Sequence, residues 1–165
     1  YQAWLAEAVG ADVINIHAGG VYGDKSSALQ RFSEVFADLP ENIRSRLSLE
    51  NDDVSYTVSD LLPVCEKHSI PMIYDVHHHR CLGDNLSVEE ATRLAGETWR
   101  RLGREQYCHL SSPKAGWGGD NPKPHADFIA PEDIPDCWLG RKMTVDIEAK
   151  AKELAVIRLM NALNT

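Results

Sequence analysis

At 165 residues, 43% hydrophobic and 25% charged, the chain is long enough to bury a core as one domain and has the composition of a soluble globular protein. No apolar run approaches the length of a membrane span and no basic-then-apolar signal segment opens the chain, so a cytoplasmic protein is expected, nucleoid-associated if bacterial, without a membrane partner. A net charge of −8 argues against a broad basic surface for nucleic acid, although carboxylates that hold divalent cations are neutralised by them.

Tyr1 to Val9 has helical character, with Trp4, Leu5 and Ala8 on one face, and Gly10 ends it. A strand from Ala11 to Ile16 follows and stops at His17, before Gly19 and Gly20. Lys25 to Leu39 predicts an amphipathic helix through Leu29, Phe32, Val35 and Phe36, and Glu41 to Ser45 one further turn. The second strand, Arg46 to Leu49, ends in Glu50. Thr57 to His68 is the next helix, with Thr57 or Ser59 near its start; Leu61, Leu62 and Cys65 face inward and His68 complements the helix dipole. The short apolar run Ile70 to Tyr74 is a buried strand delivering Asp75 and three adjacent histidines, His77, His78 and His79.

Ser87 and Glu90 stand at capping-box spacing and open a helix to about Leu102. Strand four, Gln106 to Cys108, ends in His109, and a Gly/Pro/Lys loop from Pro113 to Pro124 leads to His125. Met143 to Ile147 is the last strand, ending in Glu148, and Lys150 to Leu163 a final helix that buries Leu154, Ile157, Leu159 and Leu163. Cys65, Cys81, Cys108 and Cys137 lack metal-ribbon spacing and are read as reduced thiols. Strands alternating with helices predict βαβ units, a parallel sheet and one domain over residues 1–165.

Every one of these strands stops at a histidine or an acid, and the carboxyl ends of parallel strands are where α/β folds and barrels build their sites. His17, Glu50, Asp75, His78, His109, His125 and Glu148 form a mixed imidazole–carboxylate set suited to Zn, Mn or Fe. Any one of these residues could simply sit in a solvated loop, as Glu148 could favour the N-terminus of the last helix, but that explains all five strand ends poorly. Seven ligands exceed one tetrahedral ion and suit two or three cations, which clamp the attacking and leaving oxygens of a phosphoryl group. Phosphoester hydrolysis is the favoured chemistry; a two-metal sugar isomerase or epimerase, and an inactive metal-binding fragment, are the alternatives. His77 and His79 are assigned to packing or to supporting the ligands from behind, because strand alternation points them away from His78. Asn51 and Asp127 are candidates for orienting ligands through hydrogen bonds.

The blocks NIHAGGVYGDK, LSLENDD, IYDVHHH, CHLSSPK, PHADFI and DIEAKAKE, in this order, resemble the ultraviolet-damage endonuclease (UvdE) family, relatives of endonuclease IV. The resemblance implies a (β/α)₈ TIM barrel, incomplete here at about five C-terminal units. It also implies about three divalent ions, usually manganese, and a DNA-repair endonuclease that nicks 5′ of ultraviolet lesions in double-stranded DNA. The same seven residues are implied as metal ligands; Glu50, Asp75 and Glu148 are the catalytic carboxylates, with Glu50 bridging. The N-terminal part of the barrel would be a partner or a preceding segment, and an open five-stranded piece would expose sheet edges and an apolar face. Tyr107 stands where the family can carry a modified lysine, two residues before His109. Lys25 and Lys114 are candidates for backbone phosphates, and Trp117 for stacking on a base.

Overall fold

Five parallel strands lie side by side in sequence order, and that order decides the architecture. The computed structural model describes residues 1–163. The strands are β1 (Ile14–His17), β2 (Leu47–Glu50), β3 (Met72–Asp75), β4 (Tyr107–Leu110) and β5 (Thr144–Ile147). Around them run α1 (Gln2–Val9), α2 (Lys25–Asp38), α3 (Glu41–Arg44), α4 (Val58–His68), α5 (Val76–Cys81), α6 (Val88–Arg101) and α7 (Glu153–Leu163). A doubly wound sheet reverses its strand order and covers both faces with helices. A sheet that advances one place at each right-handed crossover keeps its helices on one face. The chain therefore has an α/β fold of the partial TIM-barrel type.

The helix-covered face is apolar. Leu47, Leu49, Met72, Tyr74, Cys108 and Leu110 pack with Phe36, Leu61, Cys65, Ala91 and Ala95 from the helices. Side chains alternate along a strand, so the residues between them face the other way. There Ser48 donates to Asn15 at 3.1 Å, Asn15 donates to Glu50, and His17 lies beside Glu50. The expected apolar open face is thus polar at β1 and β2, because the apolar half of each strand is already spent on the helices.

Local signals hold where they are short-range. Thr57 with Asp60 and Ser87 with Glu90 form complete capping boxes, and Asp24 caps α2 by accepting from Ser27 N–H at 2.9 Å. The four cysteines are free. Where burial depends on what covers a helix, the pattern misleads. Trp4 and Leu5 of α1 are exposed while Ala3 and Ala6 are buried; on α7, Leu154, Ile157 and Leu163 are exposed and only Ala155 and Leu159 are buried. Val35 of α2 is exposed as well. Two 3₁₀ turns, Pro131–Asp133 and Asp136–Trp138, lie in what reads as loop.

Two histidine assignments change. His68 bonds to Ser33 and packs its ring on Phe36; burial, with Lys67 and Arg44 nearby, holds its pKa below the ordinary value, so it acts as a neutral hydrogen-bonding ring rather than a cation on the helix dipole. His77, His78 and His79 lie on a helix, because α5 begins at once after β3 with Asp75 as its cap: the Asp75 carboxylate accepts from His78 N–H at 2.8 Å. Successive helical residues turn about 100°, so the three rings point in three directions. Among the described residues no helix is long and apolar enough to cross a membrane.

Candidate metal centre

Strand register assembles the core of the site. It sets His17 beside Glu50 on β1 and β2, and Asp75 beside His109 on β3 and β4. Helix α5 then swings His78 over both carboxylates, its Nδ1 lying 3.3 Å from Glu50 Oε1 and 3.6 Å from Asp75 Oδ2. His17 Nε2 is 3.4 Å from Glu50 Oε2, and His109 Nδ1 is 3.1 Å from Glu50 Oε1 and 3.3 Å from Glu148 Oε1. His125 Nδ1 reaches Glu148 Oε2 at 3.7 Å.

All seven expected ligands fall into three overlapping groups: His17, Glu50 and His78; Glu50, Asp75 and His109; and His78, His125 and Glu148. Within each group the donor atoms lie within 4.8 Å of one another. Glu50 and His78 each serve two groups. Glu148 precedes α7, which begins only at Glu153, by more than a helical turn, so the dipole explanation for it no longer applies.

The donor set fits a cation. Asp75 is fully buried, and its Oδ2 has no hydrogen-bond partner, an arrangement that costs free energy unless something positive meets it. Neighbouring charges are compensated by protons instead. Burial disfavours ionisation of Glu50, but hydrogen bonds from His109, His17 and His78 outweigh it and hold the carboxyl well below its usual range. Burial lowers His78 and His109, yet Glu50 with Asp75, and Glu148 with Glu50, raise them to about 9 and about 10. A bond from His109 keeps Glu148 low, and one to Glu50 raises His17. Burial lifts Asp75 to about 6, against the pull of His78. Two carboxylates below their usual range among three raised imidazoles make an environment that also suits divalent cations.

Supporting groups fix the ligands. The Asn51 amide donates to the Asp75 carbonyl at 2.9 Å and accepts from Asp75 N–H at 3.0 Å. The Asn51 carbonyl accepts from His78 Nδ1–H at 2.9 Å, so in the neutral ring that would bind a cation Nε2 carries the lone pair. Asp146 Oδ2 stands 3.7 Å behind His109 Nε2. Asn15, Ser48 and Asp146 were not singled out from sequence, although a period of two finds them: each lies two residues before a ligand, on the same face. Asp127 is exposed and contributes its carbonyl, which accepts from Ala151 N–H at 3.0 Å. His79 turns away, bonded to Tyr74 at 2.6 Å and near Asp84 at 3.3 Å.

The three DNA candidates differ in setting. Lys25 pairs with Asp60 at 2.7 Å, Lys114 is exposed, and the Trp117 indole N–H donates to Asp133 at 2.7 Å. An open groove beside the cluster is lined by His125, Glu148, Lys150 and Lys152, two lysines that sequence reading passed over.

The family model for the UV-endonuclease UvdE matches residues 4–165. The chain belongs to the UvdE family. It is 43% identical over 159 residues to the UV DNA damage endonuclease of Bacillus pumilus (strain SAFR-032), covering 92% of this chain and 48% of that protein. The UV DNA damage endonuclease of Bacillus cereus (strain G9842) is 36% identical over 172 residues, 99% of this chain and 53% of the relative. The crystal structure of SacUVDE superposes with a TM-score of 0.85 at 30% identity, over 99% of this chain and 55% of that one. The chain thus spans about half the length of the curated UvdE relatives it matches.

Proposed function

We propose that this chain carries most of the metal centre of a DNA-repair endonuclease that nicks the backbone 5′ of ultraviolet photoproducts and other lesions in double-stranded DNA. The observation that carries the reading is the convergence of three donor groups at the carboxyl ends of five parallel strands in a UvdE-family chain. Two to three divalent cations, manganese foremost with zinc or iron as alternatives, would supply Lewis-acid activation of water and of the phosphodiester.

The chain's own residues hold and orient. Glu50, which belongs to two of the groups, would be the carboxylate shared between cations, and Asn15 donates to that carboxylate and orients it. Asp75, fixed by Asn51 at its backbone and by His78 N–H at one oxygen, presents the other oxygen. His109, backed by Asp146, presents Nδ1 to the centre. Glu148 and His125 close the side that faces the groove, where Lys150 and Lys152 would meet backbone phosphates; Lys114, exposed at the base of the His125 loop, is a further phosphate candidate. Cations in the centre also reconcile the −8 charge with a polyanionic substrate.

The test is relaxation of supercoiled plasmid by the complete protein with Mn²⁺, comparing irradiated with untreated DNA. Nicking confined to irradiated plasmid is expected. Equal nicking of both, or of neither, would overturn the reading.

A further inference from the structure

The loop that delivers His125 is long and rich in glycine, yet it is tied down at several points. Its base is closed by Lys114 N–H donating to the Pro124 carbonyl at 2.7 Å and Ala126 N–H to the Ser112 carbonyl at 2.8 Å. Inside it, Trp117 donates its indole N–H to Asp133 Oδ1 at 2.7 Å. Asp133 is buried, and its second oxygen accepts from the Ser112 hydroxyl, which in turn accepts from Ala130 N–H at 2.9 Å. Arg80 donates to the Asp133 carbonyl at 2.8 Å and lies over the Trp117 ring at 5.6 Å. On the site side, the fully buried His77 packs its ring 5.1 Å from both Trp117 and His125, and its Nε2–H donates to the Lys123 carbonyl at 3.2 Å.

We propose that Asp133, acting through Trp117 and His77, is the positioning residue that sets His125 in the centre. The argument is one of preorganisation: a ligand on a loop of glycines and prolines keeps a fixed place only if the loop has few conformers, and groups that orient a ligand are typically worth about 10–100-fold in metal affinity. Trp117 is accordingly a strut, its polar edge engaged by Asp133 and one face by Arg80, rather than a free platform for a base. The inference rests on the metal-centre reading, and it separates the donor groups. The group of His78, His125 and Glu148 depends on the clamp; the two groups built on Glu50 do not.

The test is titration of the purified chain with Mn²⁺, with free ion counted by electron paramagnetic resonance, for wild type, Trp117→Phe and Asp133→Asn. Trp117→Phe keeps an aromatic ring against His77 while removing the N–H donor, so it keeps the test decisive if Asp133→Asn unfolds. The expected result is that the weakest-bound equivalent loses about tenfold in affinity while the others are unchanged. A purely structural clamp would lower the melting temperature and leave every binding constant alone; that outcome overturns the inference. Wild-type protein that binds no Mn²⁺ would overturn the metal-centre reading itself.

Discussion

The centre has a buried half and an exposed half, built by different parts of the sheet. Glu50, Asp75, His78 and His109 come from the three middle strands and the helix that follows β3, and all are buried. His17, Glu148 and His125 come from the edge strands and the clamped loop, with side chains 48%, 34% and 28% exposed. The buried half holds its geometry through close packing and through Asn51; the exposed half faces water and any large substrate. His125 and Glu148 line the open groove, which none of the four buried residues does.

The largest effect expected is from Glu50→Gln, which removes the carboxylate that His17, His78 and His109 share. Breaking a buried, compensated charge cluster costs about 3 kcal/mol of stability, and bound metal should fall below one equivalent per chain; chemical unfolding and elemental analysis measure the two. Asp75→Asn sharpens the contrast. It replaces a buried carboxylate whose Oδ2 has no hydrogen-bond partner by a neutral amide, so metal affinity should fall at least about tenfold while stability without metal stays within about 1 kcal/mol of wild type or rises. A large loss of metal-free stability would show that Asp75 serves the fold rather than the centre.

On the exposed half, His17→Ala should weaken metal binding yet leave stability within about 0.5 kcal/mol, as surface substitutions do. A loss as large as that of Glu50→Gln would erase the distinction between the halves. The effect furthest from the centre concerns Lys25. Burial raises the Asp60 carboxyl, but the Lys25 ammonium and the Thr57 backbone and hydroxyl hold it below its usual value. The stability Asp60 confers is therefore complete above about pH 4 and is lost as pH falls through that lowered value. Asp60→Asn should cost about 0.5–1 kcal/mol at neutral pH and nothing in strong acid, read by urea unfolding at both. It should also release Lys25 for phosphate, strengthening DNA binding slightly.

The convergence of the strand ends was legible because each is a local event, an apolar run stopping at His17, Glu50, Asp75, His109 or Glu148; His125, on a loop, carries no such signal. The helix caps at Thr57 and Ser87 were legible for the same reason. The direction of His77, His78 and His79 was not, since it depends on whether β3 continues or a helix begins at Val76, and Asp75 decides that with one hydrogen bond. Nor was the exposure of Trp4 or Ile157, because an apolar stripe says that a helix can be covered and not what covers it. Asp133 carries no signal at all; Arg80, Ser112 and Trp117 meet it only once the strands are stacked.

The most direct test of the centre is metal content per chain, by plasma mass spectrometry on protein purified without chelator. Two to three equivalents of Mn, Zn or Fe in the wild type, and less than one in Glu50→Gln, is the result the buried and exposed halves together predict. A wild-type chain carrying no stoichiometric metal would contradict it.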